Sequence, residues 1–167
     1  FSFASQIGVS RIISVGSFCG TVPHTREPRL YASVSNASLK QYLQKSGVRP
    51  ADYEGPGSFT SYLMTQAGDQ GFEMVSLVAE IPSYLQGTNP LSIEAVTRRI
   101  ALILGLKTDL AALRGVSNEW ESQVSKAVGK DPELEEKIRE LEKQYDDELL
   151  NTPMAPDWLN DEGTSSN

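Results

Sequence analysis

The stretch EMVSLVAEI, residues 73–81, decides the fold class of this protein. It is a continuous apolar run with β-branched residues, which is typical of a strand that is covered on both faces. The stretch RIISVGSF, residues 11–18, has the same character, and RLYASVS, residues 29–35, predicts a further strand. Helical patterns separate the strands at residues 38–47, 58–71 and 91–106. The alternation predicts an α/β fold with a mostly parallel or mixed sheet, in which 11–18 and 73–81 are central strands.

Helix start and stop signals support these boundaries. Asn89 supplies a side-chain acceptor at an N-cap, and Pro90 follows at the first helical position, where its missing N–H is not needed. A glycine, which readily adopts the left-handed conformation that ends a helix, closes each helical run, at Gly47, Gly71 and Gly105. The helices are therefore predicted with a physical reason for both ends.

The pattern changes near residue 107 and predicts three regions. Residues 1–106 form the α/β core. Residues 107–150 form an acidic helical extension that packs on the core or on a neighbouring subunit. Residues 151–167 have prolines, small polar residues and no periodicity, and they are predicted to be an irregular tail.

The last helix of the extension carries most of the charge of the chain. Residues 131–148 hold nine acids and three bases, which is six of the seven net negative charges. One interpretation is a solvated face on a helix that packs back on its own domain. The other is an arm that docks on a partner or a second subunit. The candidate interface is the apolar stripe of Leu134, Ile138, Leu141 and Tyr145.

Composition restricts the function classes. A chain of 167 residues is enough for one domain with a buried core. The chain has 22 acidic and 15 basic side chains, so its net charge is negative and repels phosphate backbones. Nucleic acid is therefore not a predicted partner. The single cysteine, Cys19, excludes an internal disulfide and a thiolate metal cluster. We predict no metal and no cofactor.

Membrane and export signals are missing from the sequence. No apolar run approaches the length of about 18 residues that spans a bilayer, and no basic-then-apolar leader opens the chain. The expectation is a soluble, cytoplasmic protein without a membrane partner.

The segment GSFCGTVPHTREPRLY, residues 16–31, is the first candidate site. It follows a strand, and ligands of open α/β sheets bind at the carboxyl ends of strands. His24 could act as a general base, with Thr25 beside it, while Arg26 and Arg29 could hold an anion. The alternative is structural: His24 and Thr25 bond to nearby backbone, and the arginines pair with Glu27 or with acids elsewhere. A lone histidine without an orienting carboxylate satisfies only part of a catalytic arrangement.

Two further stretches carry candidate ligand-binding residues. In YEGPGSFTSYL, Tyr53 and Glu54 precede a turn through Gly57, and Ser58 can cap the following helix, whose free N–H groups could hold an anion. Neither the P-loop pattern nor the dinucleotide fingerprint is present. In AEIPSYLQGTNP, Glu80 leaves a strand end, where it could be a base or a ribose ligand, or could bond to the loop that it introduces.

Together, these motifs resemble a known family. The segments VGSFCGTVPHTREPRLY, YEGPGSFTSYLMTQA and SLVAEIPSYLQGTNP, followed by a helix with Glu119-Trp120 and the acidic stretch LEEKIRELEKQYD, are similar in order and spacing to the bacterial branch of the proteasome-assembling chaperone family. The resemblance covers residues 1 to about 150.

The resemblance implies an α/β sandwich similar to nucleoside phosphorylases and peptidyl-tRNA hydrolases, assembled into oligomers that are trimers among bacterial members. Members with a known role are non-enzymatic chaperones of proteasome α subunits. Some relatives carry an ATP-grasp superfamily label, which the motifs here do not justify. The family domain begins with further strands, so the resemblance implies that this chain is the later part of such a domain and that something else completes one sheet edge.

Two hypotheses follow. The first is a non-enzymatic, oligomeric interaction protein whose partners are further copies of itself, a trimer first of all, the missing N-terminal half of the domain, and a protein client. The alternative is an enzyme or binding protein for a small anion or nucleoside, with its site around His24, Arg26 and residues 53–58. We assign no catalytic residue.

Overall fold

The computed structural model describes residues 1–51 and 58–151. The strands are β1 (Arg11–Gly20), β2 (Leu30–Val34), β3 (Arg49–Pro50) and β4 (Glu73–Pro82). The helices are α1 (Ser2–Gln6), α2 (Ser38–Lys45), α3 (Phe59–Asp69), α4 (Pro90–Ile103), α5 (Ala111–Val128) and α6 (Pro132–Asn151). The predicted site residues Tyr53, Glu54 and Gly57 and the predicted tail from residue 152 onward lie outside the described residues.

The described strands form a mixed sheet in the order β1-β4-β2-β3. β1 and β4 are parallel, with Arg11 opposite Glu73 and Gly20 opposite Pro82. β2 runs antiparallel to β4 and parallel to the short β3. The sheet confirms the predicted α/β class and its mixed character, and it brings the ends of β1 and β4 to the same edge.

β4 is buried on both faces, as its sequence predicts. Because side chains alternate along a strand, Val75, Leu77 and Ala79 face α2 and α4 in the main core, whose other members include Leu30, Leu43 and Val96. Met74 points the other way, into a smaller cluster with Ala67 of α3 and Phe72. β4 is thus the central strand of the described sheet.

The prediction that residues 11–18 form a central strand is wrong for the described part of the chain. β1 lies at the edge of the sheet, and residues 15–19 are exposed. Ile12 and Ile13 pack at the beginning of the strand, but no described element covers the strand beyond them. An apolar run indicates that a strand can be covered on both faces, but it does not specify which segment covers it.

The predicted helix ends are confirmed. The side chain of Asn89 accepts the N–H of Ser92 at 3.0 Å, and Pro90 opens α4. The glycines that end helical runs adopt left-handed φ angles of 69°, 79° and 65° at Gly47, Gly71 and Gly105. Local sequence therefore sets these boundaries.

The two C-terminal helices pack back on the core. Ser117 of α5 donates a hydrogen bond to the carbonyl of Pro90 at 3.1 Å. The carboxylate of Asp131 accepts the N–H groups of Glu133 and Leu134 at the start of α6. α6 then runs past the loop that follows β1. Within residues 1–51 and 58–151, none of the helices has the length and apolar content needed to cross a bilayer.

Candidate functional site

Glu80 fixes the loop that follows β1. Its buried carboxylate accepts the backbone N–H groups of Thr21 at 2.7 Å and Val22 at 3.0 Å, and it pairs with the buried guanidinium of Arg29 at 3.2 Å. A buried carboxylate needs such partners because burial removes its water. Glu80 therefore binds a loop, but the loop is the one after β1 and not the one that β4 enters.

The approach between Glu80 and β1 is close enough to require a glycine. A Cβ atom at Gly20 would lie 2.3 Å from Oε1 of Glu80, which is far inside van der Waals contact. Gly20 thus lets the carboxylate of Glu80 reach the loop after β1. The negative charge at the first candidate site therefore stabilises the fold by binding this loop and Arg29.

His24 connects three elements. It is 2% exposed. The hydroxyl of Tyr84 accepts the backbone N–H of His24 at 2.8 Å and lies 2.8 Å from Nδ1 of the same residue. On the other side, Nε2 lies 3.1 Å from Oγ of Ser125 in α5. The imidazole therefore bridges the loop after β1, the loop after β4 and α5.

The contacts of His24 favour one placement of its hydrogens. When the hydroxyl of Tyr84 accepts the backbone N–H and donates its one hydrogen to Nδ1, each of these groups has a partner within the chain. Nε2 then carries the ring hydrogen and donates to Ser125. In this arrangement, Nε2 cannot take the Ser125 proton, and Nδ1 already has a donor.

The stability of the fold should depend on the protonation of His24. Burial lowers the pKa of His24 from its ordinary value of 6.5, although the charge of Glu142 opposes this effect. The unfolded chain therefore binds more protons as the pH falls below 6.5. We expect the free energy of unfolding to fall below that pH, by at most about 1.4 kcal/mol per pH unit for one proton. Urea unfolding between pH 7.5 and 5.5 measures this slope.

The assignment has a simple control, because the chain contains one histidine. The His24→Asn variant should be less stable at pH 7.5 and should lose the slope between pH 7.5 and 5.5. A slope that persists in this variant would mean that another group titrates there.

Arg26 and Thr25 bind α6. The guanidinium of Arg26 forms two parallel bonds with Asp146, with Nε to Oδ1 at 2.9 Å and Nη2 to Oδ2 at 2.8 Å. Glu142 lies 3.6 Å from Nη1 and accepts a hydrogen bond from the hydroxyl of Thr25. The predicted anion-binding arginine thus holds carboxylates of its own chain.

Arg29 and Arg49 converge on the next turn of α6. Glu148 accepts from Nη2 of Arg29 at 2.6 Å and pairs with Arg49 through its other oxygen. The guanidinium of Arg29 also lies 4.5 Å from the ring centroid of Tyr145. We call Arg26, Arg29 and Arg49 the arginine cluster, and Glu142, Asp146 and Glu148 the inner carboxylates. The two sets balance in charge.

Charge pairing lowers the pKa values of Asp146 and Glu148. The hydrogen bond from Arg26 lowers the pKa of Asp146. Burial raises the pKa of Glu148, but bonds and charges from Arg49 and Arg29 outweigh that effect and lower it. Both carboxylates are therefore held in the charged form that the arginines bind.

Glu27 does not pair with Arg26 or Arg29, which corrects one detail of the structural alternative. Its carboxylate binds Arg98 of α4 at 2.7 Å, and its carbonyl accepts the hydroxyl of Tyr145 at 2.9 Å. The arginines instead find acids elsewhere, on α6 and β4. Sequence neighbours are poor guides here because the chain turns at this point, where the N–H of Arg26 donates to the carbonyl of Pro23 at 3.2 Å, so adjacent side chains point in different directions.

Ser58 lies apart from the loop after β1. Its hydroxyl accepts the N–H of Ser61 at 3.1 Å and caps α3, as its sequence predicts. It lines a cavity of about 510 Å³ with residues that include Phe18, Tyr31 and Met64, whereas His24 and Thr25 line a different groove, of about 180 Å³. The predicted site residues that are described therefore do not form one pocket.

The candidate interface stripe faces the chain's own body. Ile138 and Tyr145 are buried, and Leu134 and Leu141 are half-buried. Ile138 lines the groove that holds His24. A role of this stripe in contacts between subunits stays a prediction.

The inner carboxylates were not predicted from the sequence. The available signal was that α6 is rich in acids and that the loop after β1 contains arginines, which need acidic partners. Within residues 1–51 and 58–151, no group of three or more histidine, cysteine or acidic side chains is placed to hold a metal ion. The arrangement neutralises charge and connects α6 to the core.

Comparison with solved structures gives relatives with the same fold. A protein of unknown function from Mycobacterium tuberculosis is 26% identical with a TM-score of 0.76, over 89% of this chain and 50% of that one. A second protein of that organism, a homologue of proteasome-assembly chaperones, is 24% identical with a TM-score of 0.68, over 82% and 57%. An archaeal proteasome activator from Pyrococcus furiosus is 25% identical with a TM-score of 0.58, over 75% and 54%.

The chain spans about half of the length of these solved structures. No curated protein matches it. The family model described as the PAC2 family matches residues 1–128, which ends with the last residue of α5. The match covers most of the chain and includes the loop after β1, β4 and the helices that cover the sheet. It confirms the resemblance that the sequence motifs indicated, and the chain belongs to the PAC2 family.

Proposed function

We propose that the chain is a non-enzymatic interaction protein that acts as an oligomer, a trimer as the family resemblance implies, and binds a protein client in the cytoplasm. The observation that carries the proposal is the open outer edge of β1, where apolar side chains face outward in the described residues. The relative that is described as a proteasome activator supports a protein partner.

The open edge of β1 has apolar surface on both faces. On one face, Val15 lines a cavity of about 430 Å³ with Ile93 and Ile100 of α4. On the other, Phe18 lines the cavity of about 510 Å³ with Met64 and Val78. Strands parallel to their neighbour are normally covered on both faces, and an uncovered apolar edge attracts a further strand. This surface therefore favours protein contacts.

The occupant that we propose for this edge is a strand from the half of the family domain that this chain does not span. The solved relatives are about twice as long as their match to this chain. A strand at the edge with flanking side chains on both faces would fill the two cavities and pair the outward N–H and C=O groups of β1. The oligomer then forms from completed domains.

Native mass spectrometry of the purified protein tests this proposal. We expect an oligomer of three copies in which each copy carries further polypeptide. Val15→Lys should remove that polypeptide, because a lysine on an edge strand blocks pairing. Val116→Lys on α5 is the matched control, since Val15 and Val116 are each 53% exposed. It should leave the spectrum unchanged.

Other spectra would contradict the proposal. A monomer without associated polypeptide would contradict both the proposed oligomer and the proposed contact at the β1 edge. A reproducible small added mass that is lost in Arg26→Ala would favour the small-anion or nucleoside alternative instead.

A further inference from the structure

The arginine cluster and the inner carboxylates belong to different parts of the chain. Arg26, Arg29 and Arg49 lie within residues 1–128, the range of the family match. The carboxylates lie on α6, which starts at Pro132, beyond that range. A basic site of the family domain is thus filled by a helix that follows the matched region.

The basic site has a rigid centre. The side chain of Arg29 is 8% exposed, and Glu80, which lies on β4 and not on α6, binds its Nη1. Its Nη2 points at Glu148. Arg26 presents a planar pair of N–H groups, which is the geometry that recognises a carboxylate with both oxygens. Arg29 would therefore keep Glu80 as a partner if the helix moved away, and its Nη2 would be open to another carboxylate.

The ion pairs between the inner carboxylates and the arginine cluster are partly exposed, so another acidic segment could compete for the arginines. The side chains of Asp146 and Glu148 are 48% and 43% exposed, so water reaches these ion pairs. Ion pairs of this exposure contribute little each and are screened by salt. The buried side chains of α6 are Ile138 and Tyr145. A competing helix would therefore need apolar side chains as well as carboxylates to replace α6.

An exchange of α6 between two copies of the chain is disfavoured by the sequence. Residues 129–131 connect α5 to α6, and an exchange through one continuous α5–α6 helix would need these residues to become helical. Pro132 opposes this, because it restricts the preceding Asp131 and lacks the N–H of a helix interior. This favours a helix of another protein as the competitor.

We propose that the arginine cluster is a docking site for an acidic helix of a partner protein, and that α6 fills this site until the partner displaces it. The recognised pattern is the one that α6 carries: carboxylates at the positions of Glu142, Asp146 and Glu148, with an aromatic ring at the position of Tyr145 over Arg29. The inference is independent of the open β1 edge and of the oligomeric state.

A labelled peptide with the sequence of residues 132–151 serves as the probe. In the full chain, Glu142→Lys, Asp146→Lys and Glu148→Lys together place lysines against the arginine cluster and should release α6. We expect the probe to bind this variant at least about tenfold more tightly than the parent chain, measured by fluorescence anisotropy at low salt. Hydrogen exchange should show faster exchange of the α6 amides.

The matched control reverses three exposed acids of the same helix, with Glu133→Lys, Glu140→Lys and Asp147→Lys. The net charge of the protein changes by the same amount, so tight binding of the probe to this variant would mean non-specific attraction and would overturn the proposal. Adding Arg26→Ala to the first variant should weaken probe binding again.

Two further results would overturn the proposal: α6 amides that stay as protected as in the parent chain, or released α6 amides without tighter probe binding. If the charge-reversal variant does not fold, the neutral set Glu142→Gln, Asp146→Asn and Glu148→Gln replaces it. The charged probe should then displace the neutral helix, and a probe that fails to bind it would contradict the docking site.

Discussion

Replacing Glu80 with alanine is expected to lower the free energy of unfolding by about 3–5 kcal/mol, the usual cost of removing one member of a buried ion pair. Arg29 lies 3.2 Å from this carboxylate and is itself buried. The N–H groups of Thr21 and Val22 would lose their acceptor as well. Urea unfolding at pH 7, followed by circular dichroism, measures the change.

The control is Glu73→Ala, at the other end of the same strand. Glu73 pairs with Arg11 at 2.6 Å, but the two side chains are 37% and 31% exposed, so we expect a loss of less than about 1 kcal/mol. Equal losses in the two variants would mean that burial of the Glu80 pair does not matter. A Glu80→Gln variant as stable as the parent would show that the charge is not needed.

The longer helices and strands were predictable because their signals are local, whereas the two-residue strand β3 was not predicted. The caps at Asn89 and Ser58 and the left-handed glycines act within a few residues, and the structure has each where the sequence predicts it. The continuous apolar run with β-branched residues at 73–81 likewise needs no distant information. These rules fix helices, strands and their ends.

The position of β1 in the sheet was not predictable in the same way. Its apolar run is real, but strand order depends on which segments pair, and pairing is set by contacts far apart in sequence. Val15 and Phe18 are apolar, as buried residues usually are, but they are exposed in the described part of the chain. The apolar composition of β1 indicated that another segment packs on it, but it did not indicate which segment.

The candidate site illustrates the same limit. The rule that ligands bind at strand ends drew attention to the loop of His24 and Arg26. In the structure, that loop is occupied by groups 60 to 120 residues away: Tyr84, Ser125 and Asp146. Such pairings depend on where α6 packs, which a helical period does not specify. The chemistry of the loop was predictable, whereas its partners were not.

Replacing Tyr145 with alanine is expected to lower the free energy of unfolding by about 3 kcal/mol, as for other buried aromatic side chains. The ring lies against the guanidinium of Arg29, and the hydroxyl donates to the carbonyl of Glu27. Tyr145→Phe keeps the ring and should lose only about 1 kcal/mol. Urea unfolding gives both values, and hydrogen exchange shows whether α6 loosens first.

The matched control is Tyr62→Ala on α3, since Tyr62 is 61% exposed and its loss should stay within about 0.5 kcal/mol. This comparison also separates the two interpretations of the acidic helix. If Tyr145→Ala lowers stability and leaves the assembly size in native mass spectra unchanged, the apolar stripe of α6 stabilises its own domain. If the assembly size changes while stability does not, Tyr145 belongs to a contact between subunits. The position of α6 in solution would then not depend on its packing against the arginine cluster of its own chain.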